Sequence, residues 1–484
     1  MRSLIVALAA SAVAVRAYDN NAPYSKLPPM GWSSWVALGP GADHPVFDFC
    51  DEGSVRRAID AFVSDDLGLY AAGYRHFHLD DCWANHERTP AGDLIPDTTN
   101  FPNGLTPVID YAHSKGLAFG LYTSGGIFTC VGLRPGSEGH WSQDADSFAS
   151  WGVDWVKMDW CNHGFEDPKT TYPLMSKALN ASKRHIHFNM CEWGDENPWE
   201  WGDPIAQSWR MHGDHVGTWE STAKVIAASA AIPRQYSGRP YGWNDMDMLE
   251  TGNGLRAAHA NGKESNMTDD EWRTEFSMWA ISASPLVVTT PIMNCTNESP
   301  HPANYCNVSL VQQESLSPCI EGYSFGCNLN GSMWTSEGCR GEFTCNGYST
   351  LCDQDGSGQH LCECGNVTKC VPYITPLQRE ILLNTEVIAV NQDVTPQGAP
   401  VTPGDLSIWA RNLTGGDIAV ALYNPQAAAV NMTVSFAALG WTTGATVSVR
   451  DLWKHADMGY FKGSYGPVSV PTHATVMLRL TQHS

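Results

Sequence analysis

Positive charge is scarce in this sequence. Its 484 residues include 29 Lys and Arg against 51 Asp and Glu, which gives a formal net charge of -22 at pH 7. Such an excess of negative charge repels a phosphate backbone and an anionic membrane surface. The composition therefore argues against nucleic acid or a membrane as partner and favours a neutral ligand.

Long apolar runs are also missing beyond the N-terminus, so we expect the mature chain to be soluble. The N-terminus has a basic residue at Arg2, an apolar run from Leu4 to Val15 and a small residue at Ala17. This order predicts a secretory signal peptide at residues 1–17, cleaved after Ala17.

Paired CxxC motifs of a metal site are absent, although the chain has 15 Cys. Disulfides and an oxidising compartment are the better interpretation. Glycosylation sequons agree with a secreted glycoprotein. They lie at Asn180, Asn266, Asn294, Asn297, Asn307, Asn330, Asn366, Asn412 and Asn431.

Residues 27–293 alternate short apolar runs with segments of helical period, such as Ser54–Leu69 and Thr106–Lys115. Eight such repeats predict a (β/α)8 barrel. An open doubly wound sheet is the alternative, but the Gly-rich phosphate loop typical of that fold is missing after the first strand. The predicted strands end near Trp32, Asp80, Tyr122, Asp159, Cys191, Arg210, Asp245 and Val288.

Residues 294–370 interrupt the barrel with ten Cys and five sequons but no helical or strand periodicity. They predict a disulfide-stapled insertion after strand eight. Because Pro376–Thr385 resumes as the eighth helix, we expect the insertion on the active-site face, as a passive glycosylated lid or a second carbohydrate-binding surface. The barrel is thus assigned to 18–394.

Residues 395–484 predict a small antiparallel β domain. Alternating segments separated by glycine turns indicate its strands. They are Ser407–Arg411, Ile418–Tyr423, Met432–Phe436, Thr446–Arg450 and Ala474–Leu480.

Acidic residues follow several predicted barrel strands, where the chemistry of such barrels gathers. Any single one could be a helix cap or an ion-pair partner, but their repetition predicts an active site. The strand ends carry Asp80, Asp81, Tyr122, Asp159, Cys191, Glu192, Trp193, Arg210, Asp214, Asp245 and Asp247.

The motifs around these residues resemble glycoside hydrolase family 27, the α-galactosidase and α-N-acetylgalactosaminidase family, over nearly the whole chain apart from the insertion. The matching motifs are LPPMGW at 27–32, LDDCW at 79–83, KMDWC at 157–161, CEWG at 191–194, WR at 209–210 with GD at 213–214, and WNDMDML at 243–249. The resemblance implies a TIM barrel followed by a β-sandwich. It also implies hydrolysis of terminal α-D-galactose with retention.

By the resemblance, Asp159 is the nucleophile and Asp214 the general acid/base. A retaining glycosidase places two such carboxyl groups about 5 to 5.5 Å apart. Lys157, two residues before Asp159 on one strand face, is expected to keep the nucleophile ionised. Burial or like charge must keep the acid protonated.

The resemblance also implies the sugar contacts. Adjacent carboxylates at Asp80 and Asp81 suit vicinal hydroxyl groups. No His or further carboxylate stands at ligand spacing, so we expect no metal and no cofactor. The implied contacts are Trp35, Asp80, Asp81, Tyr122, Cys130, Lys157, Cys191, Glu192, Trp193, Arg210, Asp247 and Met248.

The resemblance implies the disulfides Cys50–Cys82 and Cys130–Cys161. The ten Cys of the insertion then form five internal bridges, which leaves Cys191 as a free thiol against the sugar.

The expected substrates are α-galactoside oligosaccharides, polysaccharides or glycoconjugates. A bulky Glu192 argues against a 2-acetamido sugar. Ser33, the turn Thr123–Gly126 and Met246 depart from the family pattern near the site. A β-L-arabinopyranosidase, an α-N-acetylgalactosaminidase and a non-catalytic carbohydrate-binding glycoprotein are the alternatives.

Overall fold

The computed structural model describes residues 18–38, 50–131, 134–253, 265, 267–298, 307–327, 333–345, 348–352, 358–362, 367–442 and 444–483. The predicted signal peptide, residues 1–17, lies outside the described residues. Contacts divide the chain into two units, Met1–Ile292 with Pro372–Ser484, and Met293–Val371.

The first unit contains eight short parallel strands, almost entirely buried, as expected for a sheet covered on both faces. Parallel pairing runs from β8 through β1 to β7, and a bridge from Leu249 to Val288 brings the two ends together. The predicted barrel is confirmed, and β4 to β8 end at the predicted residues. The strands are β1 (Met30–Ser33), β2 (His76–Leu79), β3 (Ala118–Ser124), β4 (Trp155–Asp159), β5 (His187–Cys191), β6 (Ser208–Arg210), β7 (Trp243–Asp245) and β8 (Leu286–Val288).

Helices alternate with these strands, and polar caps define where several begin. Thr268 and Thr375 each form a capping box, with Glu271 and Gln378 respectively. None of the helices in the described part of the chain has the length and hydropathy of a membrane span. The helices are α1 (Ser34–Leu38), α2 (Glu52–Val63), α3 (Leu69–Ala72), α4 (Thr106–Ser114), α5 (Trp141–Trp151), α6 (Pro168–Ala181), α7 (Trp219–Ala231), α8 (Asp269–Ile281), α9 (Pro376–Leu382) and α10 (Thr385–Asn391).

Two predicted helices are each divided in the structure. The helix predicted over Ser54–Leu69 is α2 followed by α3, because the backbone becomes extended at Ser64 and Gly68 then adopts a φ of 85°. The helix predicted over Pro376–Thr385 ends at Leu382, and Asn384 caps a separate helix by accepting hydrogen bonds from the amides of Glu386 and Val387.

The second unit, Met293–Val371, contains strands where the sequence showed no strand periodicity. Several of these strands have only three residues, too few to show a period of two in the sequence. They are β9 (Met293–Glu298), β10 (Val308–Gln313), β11 (Phe325–Cys327), β12 (Met333–Thr335), β13 (Gly341–Cys345), β14 (Tyr348–Cys352), β15 (His360–Cys362) and β16 (Val367–Pro372).

Disulfides and a small apolar core hold this second unit together. The strands form two three-stranded antiparallel sheets, β10-β13-β14 and β11-β12-β15, and the pair β9 and β16. Bridges join Cys319 to Cys339 and Cys352 to Cys362, and Cys327 and Cys345 are also disulfide-bonded. The predicted total of five internal bridges stays a prediction.

The C-terminal part of the first unit is a β-sandwich of a six-stranded sheet and the pair β20 and β23. The buried guanidinium of Arg411 donates to the carbonyls of Val390 and Asn391, which ties this sandwich to α10. The strands are β17 (Ala399–Pro400), β18 (Ile408–Asn412), β19 (Ile418–Tyr423), β20 (Val430–Ser435), β21 (Thr446–Asp451), β22 (Ala456–Lys462), β23 (Ser464–Val470) and β24 (Thr475–His483).

Candidate active site

A pocket of about 450 Å³ opens at the C-terminal ends of the barrel strands. Its volume lies in the range that holds a small ligand. Ten of the fourteen predicted catalytic and sugar-binding residues line it. They are Trp35, Asp80, Cys130, Lys157, Asp159, Trp193, Arg210, Asp214, Asp247 and Met248.

Asp159 is the last residue of β4, and its side chain is held from two directions. Its Oδ2 accepts a hydrogen bond from the hydroxyl of Tyr122 at 3.1 Å, and its Oδ1 accepts one from the amide of Trp160 at 2.9 Å. Burial raises the pKa of Asp159, and the charge of Asp214 adds to that rise against the opposing effect of Lys157. The carboxylate is therefore oriented by its neighbours at the edge of the pocket.

Lys157 has Asp80 as its bonded partner, while its charge also lowers the pKa of Asp159, which is the direction expected from the sequence. Its Nζ donates to Oδ2 of Asp80 at 3.0 Å and lies 5.1 Å from the centre of the Tyr122 ring. Burial would raise the pKa of Asp80, but Lys157 and His78 hold it well below its usual range. Asp80 is thus the ionised member of this group.

Lys157→Met is expected to destabilise the protein by about 3–5 kcal/mol, because it leaves the Asp80 carboxylate buried without a cation. The two side chains are only 13% and 2% exposed. Urea unfolding of the variant would measure the loss, and the matched double variant Lys157→Met with Asp80→Asn should recover part of it. A loss below about 1 kcal/mol, typical of an exposed pair, would contradict this account.

Arg210, at the end of β6, binds two carboxylates of the pocket. Its Nη2 lies 3.0 Å from Oδ1 of Asp214 and 2.8 Å from Oδ2 of Asp247. The side chain of Asp214 projects into the open pocket and is 72% exposed. The surrounding protein still desolvates it, which raises its pKa, but the guanidinium outweighs this effect and holds the pKa of Asp214 below its usual value.

Asp247 adopts a backbone conformation that non-glycine residues seldom take, with a φ of 81°. The strain is of the kind that clusters at functional sites. It is held by hydrogen bonds from the amide of Asp247 to Oδ1 of Asp245 and from the amide of Met248 to Oδ1 of Asp247. Burial raises the pKa of Asp247 to about 7.

Three predicted contacts, Asp81, Tyr122 and Cys191, are buried but are not among the residues that line the pocket. Oδ2 of Asp81 accepts the amide of Val131 at 2.8 Å, and burial raises the pKa of Asp81 to about 7. Tyr122 contacts Asp159, as described above. Cys191 is a buried free thiol, 3.5 Å from Nη1 of Arg210, and burial raises its pKa well above the usual value.

Glu192 is buried and is not among the residues that line the pocket. Its Oε2 accepts the amide of Glu196 at 3.1 Å. The chain turns sharply at Trp193 and Gly194, with φ of 60° and 80°, and a Cβ at Gly194 would lie 2.4 Å from the carbonyl oxygen of Met211. Trp193 lines the pocket beside this turn, and the steric effect expected of Glu192 stays a prediction.

Disulfides brace the loops that carry these residues. Cys50 is bonded to Cys82 and Cys130 to Cys161, the pairings that the resemblance implies. The loops after β3 and β4 also pack closely at Gly126, where a Cβ would lie 2.2 Å from the carbonyl carbon of Asn162.

Potential metal ligands come together at one place among the described residues. The sulfurs of Cys130 and Cys161 and a carboxylate oxygen of Asp159 lie within 4.8 Å of one another. Because the two sulfurs are bonded to each other, neither is a thiolate that could bind a metal.

Comparison with known proteins fits this geometry. A family model described as alpha galactosidase A matches residues 27–311. A second, described as the alpha galactosidase C-terminal beta sandwich domain, matches residues 403–480. The chain belongs to the α-galactosidase family, glycoside hydrolase family 27.

Individual members of this family are similar to this chain over most of their length. An alpha-galactosidase from Cyamopsis tetragonoloba is 35% identical over 97% of this chain and 90% of its own. One from Coffea arabica is 35% identical over 94% and 93%. The crystal structure of alpha-galactosidase I from Mortierella vinacea superposes with a TM-score of 0.69 at 26% identity, covering 95% of this chain and 98% of that chain.

This member of the α-galactosidase family has pocket residues that the sequence analysis missed. Val36 and Val131 follow predicted pocket elements but have no polar group to mark them. His215 follows the predicted residue Asp214, and Glu250 lies close to the predicted residue Met248. This proximity in sequence was the only signal that could have identified them as pocket residues. The residues missed in the lining are Val36, Val131, His215, Val216 and Glu250, whereas Cys161 was predicted as the disulfide partner of Cys130.

Proposed function

We propose that the protein is a retaining α-galactosidase in which Asp159 is the nucleophile and Asp214 the general acid/base. The observation that carries this proposal is that both carboxyl groups line one pocket, close enough for the charge of Asp214 to raise the pKa of Asp159. Two interacting carboxyl groups at one sugar-sized pocket are what double displacement requires.

In the first step, an Asp159 oxygen bonds to the anomeric carbon as the glycosidic C–O bond breaks, and Asp214 gives its proton to the leaving oxygen. In the second step, Asp214 takes a proton from water, whose oxygen displaces Asp159 and releases galactose in its original α configuration. The hydrogen bonds from Tyr122 and Trp160 orient the attacking carboxylate.

For catalysis, the two carboxyl groups together must hold one proton. Because the groups interact, their titration is a property of the pair and not of either residue alone. Among the protein groups alone, Arg210 favours ionised Asp214, while burial favours protonated Asp159. The mechanism needs the reverse arrangement. We propose that sugar hydroxyl groups take over donors of Arg210, so that the proton passes to Asp214 when the substrate binds.

Polar and apolar groups of the pocket suit a hexose. Asp80 and Asp247 can accept hydrogen bonds from hydroxyl groups, and Lys157 and Arg210 can donate them. Trp35 and Trp193 are available to an apolar sugar face. Several relatives carry the name alpha-galactosidase, which supports terminal α-galactose on oligosaccharides, polysaccharides or glycoconjugates as the substrate.

We further propose that the protein is secreted and glycosylated. The disulfides of both units support an oxidising compartment. Sequon side chains with a described position are exposed, as attachment of a glycan requires. These are Asn180, Asn294, Asn307, Asn412 and Asn431.

A panel of aryl glycosides, with the first-formed anomer followed by NMR, tests the proposed reaction. We expect faster hydrolysis of the α-galactoside than of the β-L-arabinopyranoside or the α-N-acetylgalactosaminide, and α-galactose as the first product. Initial release of β-galactose would contradict retention. Saturable binding of galactosides with no sugar released would favour a non-catalytic carbohydrate-binding protein.

A further inference from the structure

The exposed side chain of Asp214 is next in sequence to a residue whose contacts hold it firmly in place. His215 follows it in the loop after β6, and the side chain of His215 is 0% exposed. Gly213 precedes it, where a Cβ would meet nothing within 4 Å. The backbone of Asp214 is therefore anchored from the His215 side.

His215 makes three polar contacts with two neighbouring segments. Its amide donates to Oδ2 of Asp247 at 2.7 Å, and its Nδ1 lies 3.2 Å from the carbonyl oxygen of Met248. Its Nε2 lies 3.1 Å from Oγ1 of Thr222, on α7. The residue thus connects the loop of Asp214 to the loop of Asp247 and to a helix.

The protonation state of the ring agrees with these contacts. Burial lowers the pKa of His215 to about 4, so the ring is neutral at neutral pH and carries one N–H. A carbonyl oxygen only accepts, which places that hydrogen on Nδ1, facing Met248. Nε2 then faces the hydroxyl of Thr222, with Oε1 of Glu275 at 3.7 Å.

The loop that receives His215 is itself held by α8. Nε1 of Trp279 donates to the carbonyl oxygen of Asp247 at 2.7 Å, and Oε1 of Glu275 accepts the amide of Glu250 at 3.0 Å. The ring of Trp279 also packs against that of His215, with centres 5.1 Å apart. His215 is therefore attached to a fixed part of the barrel.

We propose that His215 is the positioning residue of the general acid: its ring bonds fix the backbone of Asp214, so that the exposed carboxyl group meets the leaving oxygen. This inference rests on the proposed role of Asp214. A small displacement of a catalytic group can reduce the rate about 100-fold. The loss should appear in the step that needs a proton donor.

His215→Leu tests this role because leucine fills part of the space and makes neither ring bond. We expect its kcat/KM for an alkyl α-galactoside to fall about 10- to 100-fold more than its kcat/KM for a dinitrophenyl α-galactoside. Dinitrophenolate leaves without protonation, so it does not depend on where Asp214 lies. Equal losses on the two substrates would overturn the proposal.

Two further variants separate positioning from loss of stability. His215→Asn keeps a donor for the Met248 carbonyl and should restore most of the alkyl galactoside activity; if the leucine variant does not fold, His215→Ala takes its place, and an equal loss on both substrates in the alanine variant overturns the proposal. His187→Leu is the matched control. It removes another buried His, bonded to Ser25 and Ser208 at the start of β5, and should lower the two activities equally.

Asp214→Asn, assayed on the same two substrates, separates this inference from the proposed function. If Asp214→Asn shows no selective loss on the alkyl galactoside, the assignment of Asp214 as acid fails. If Asp214→Asn shows that loss but His215→Leu does not, the acid assignment stands and the positioning role of His215 is refuted.

Discussion

Asp159→Asn is expected to lower kcat/KM for an aryl α-galactoside by roughly 10⁴-fold or more, the size of loss found when a nucleophile is removed. An amide has nearly the volume of a carboxylate but cannot form the covalent intermediate. The asparagine Oδ1 can still accept the amide hydrogen of Trp160, so the end of β4 should keep its conformation.

A matched control is available at the other end of the same strand. Asp154 precedes β4, is buried, and accepts hydrogen bonds from the amide of Phe119 and from Arg184. Asp154→Asn should reduce the melting temperature while the folded protein keeps its turnover. Turnover by folded Asp159→Asn within tenfold of the unchanged protein would remove the assigned nucleophile.

Asp214→Ala is expected to lower kcat/KM for an alkyl α-galactoside by about 10²- to 10⁴-fold, the range of general acid catalysis. The loss should be much smaller for a dinitrophenyl α-galactoside, whose leaving group needs no proton. Because the Asp214 side chain is 72% exposed and Arg210 keeps its contact with Asp247, the melting temperature should change little.

Azide gives this prediction a second measurement. Once galactose is bound to Asp159, azide attacks the anomeric carbon without help from a general base, so the alanine variant should form α-galactosyl azide from the dinitrophenyl substrate. The unchanged protein, in which Asp214 activates water, should form little of it. Equal losses on both substrates and no azide product would contradict the role of Asp214.

The position of the site could be predicted because the sequence patterns that indicate it lie within short segments of the chain. An apolar run that ends in a polar residue marks the end of a barrel strand, and β4 to β8 end where this rule places them. Parallel strands in a barrel bring those ends together, so ten predicted residues share one pocket.

The partners within the site could not be predicted in the same way. Lys157 has Asp159 two residues away in sequence but binds Asp80, because only the folded distances decide between nearby carboxylates. Glu192 is buried without lining the pocket, and its Oε2 binds the amide of Glu196, a contact that the sequence does not reveal. The contacts of His215 reach residues on two other elements, which its position beside Asp214 does not reveal.

Covalent trapping tests the central claim most directly. A fluorinated α-galactosyl substrate whose intermediate breaks down slowly should leave one galactosyl group on the protein, and peptide mass spectrometry should locate it at Asp159. The label should be absent from Asp159→Asn. A label on any other residue would contradict the assignment of Asp159 as the nucleophile.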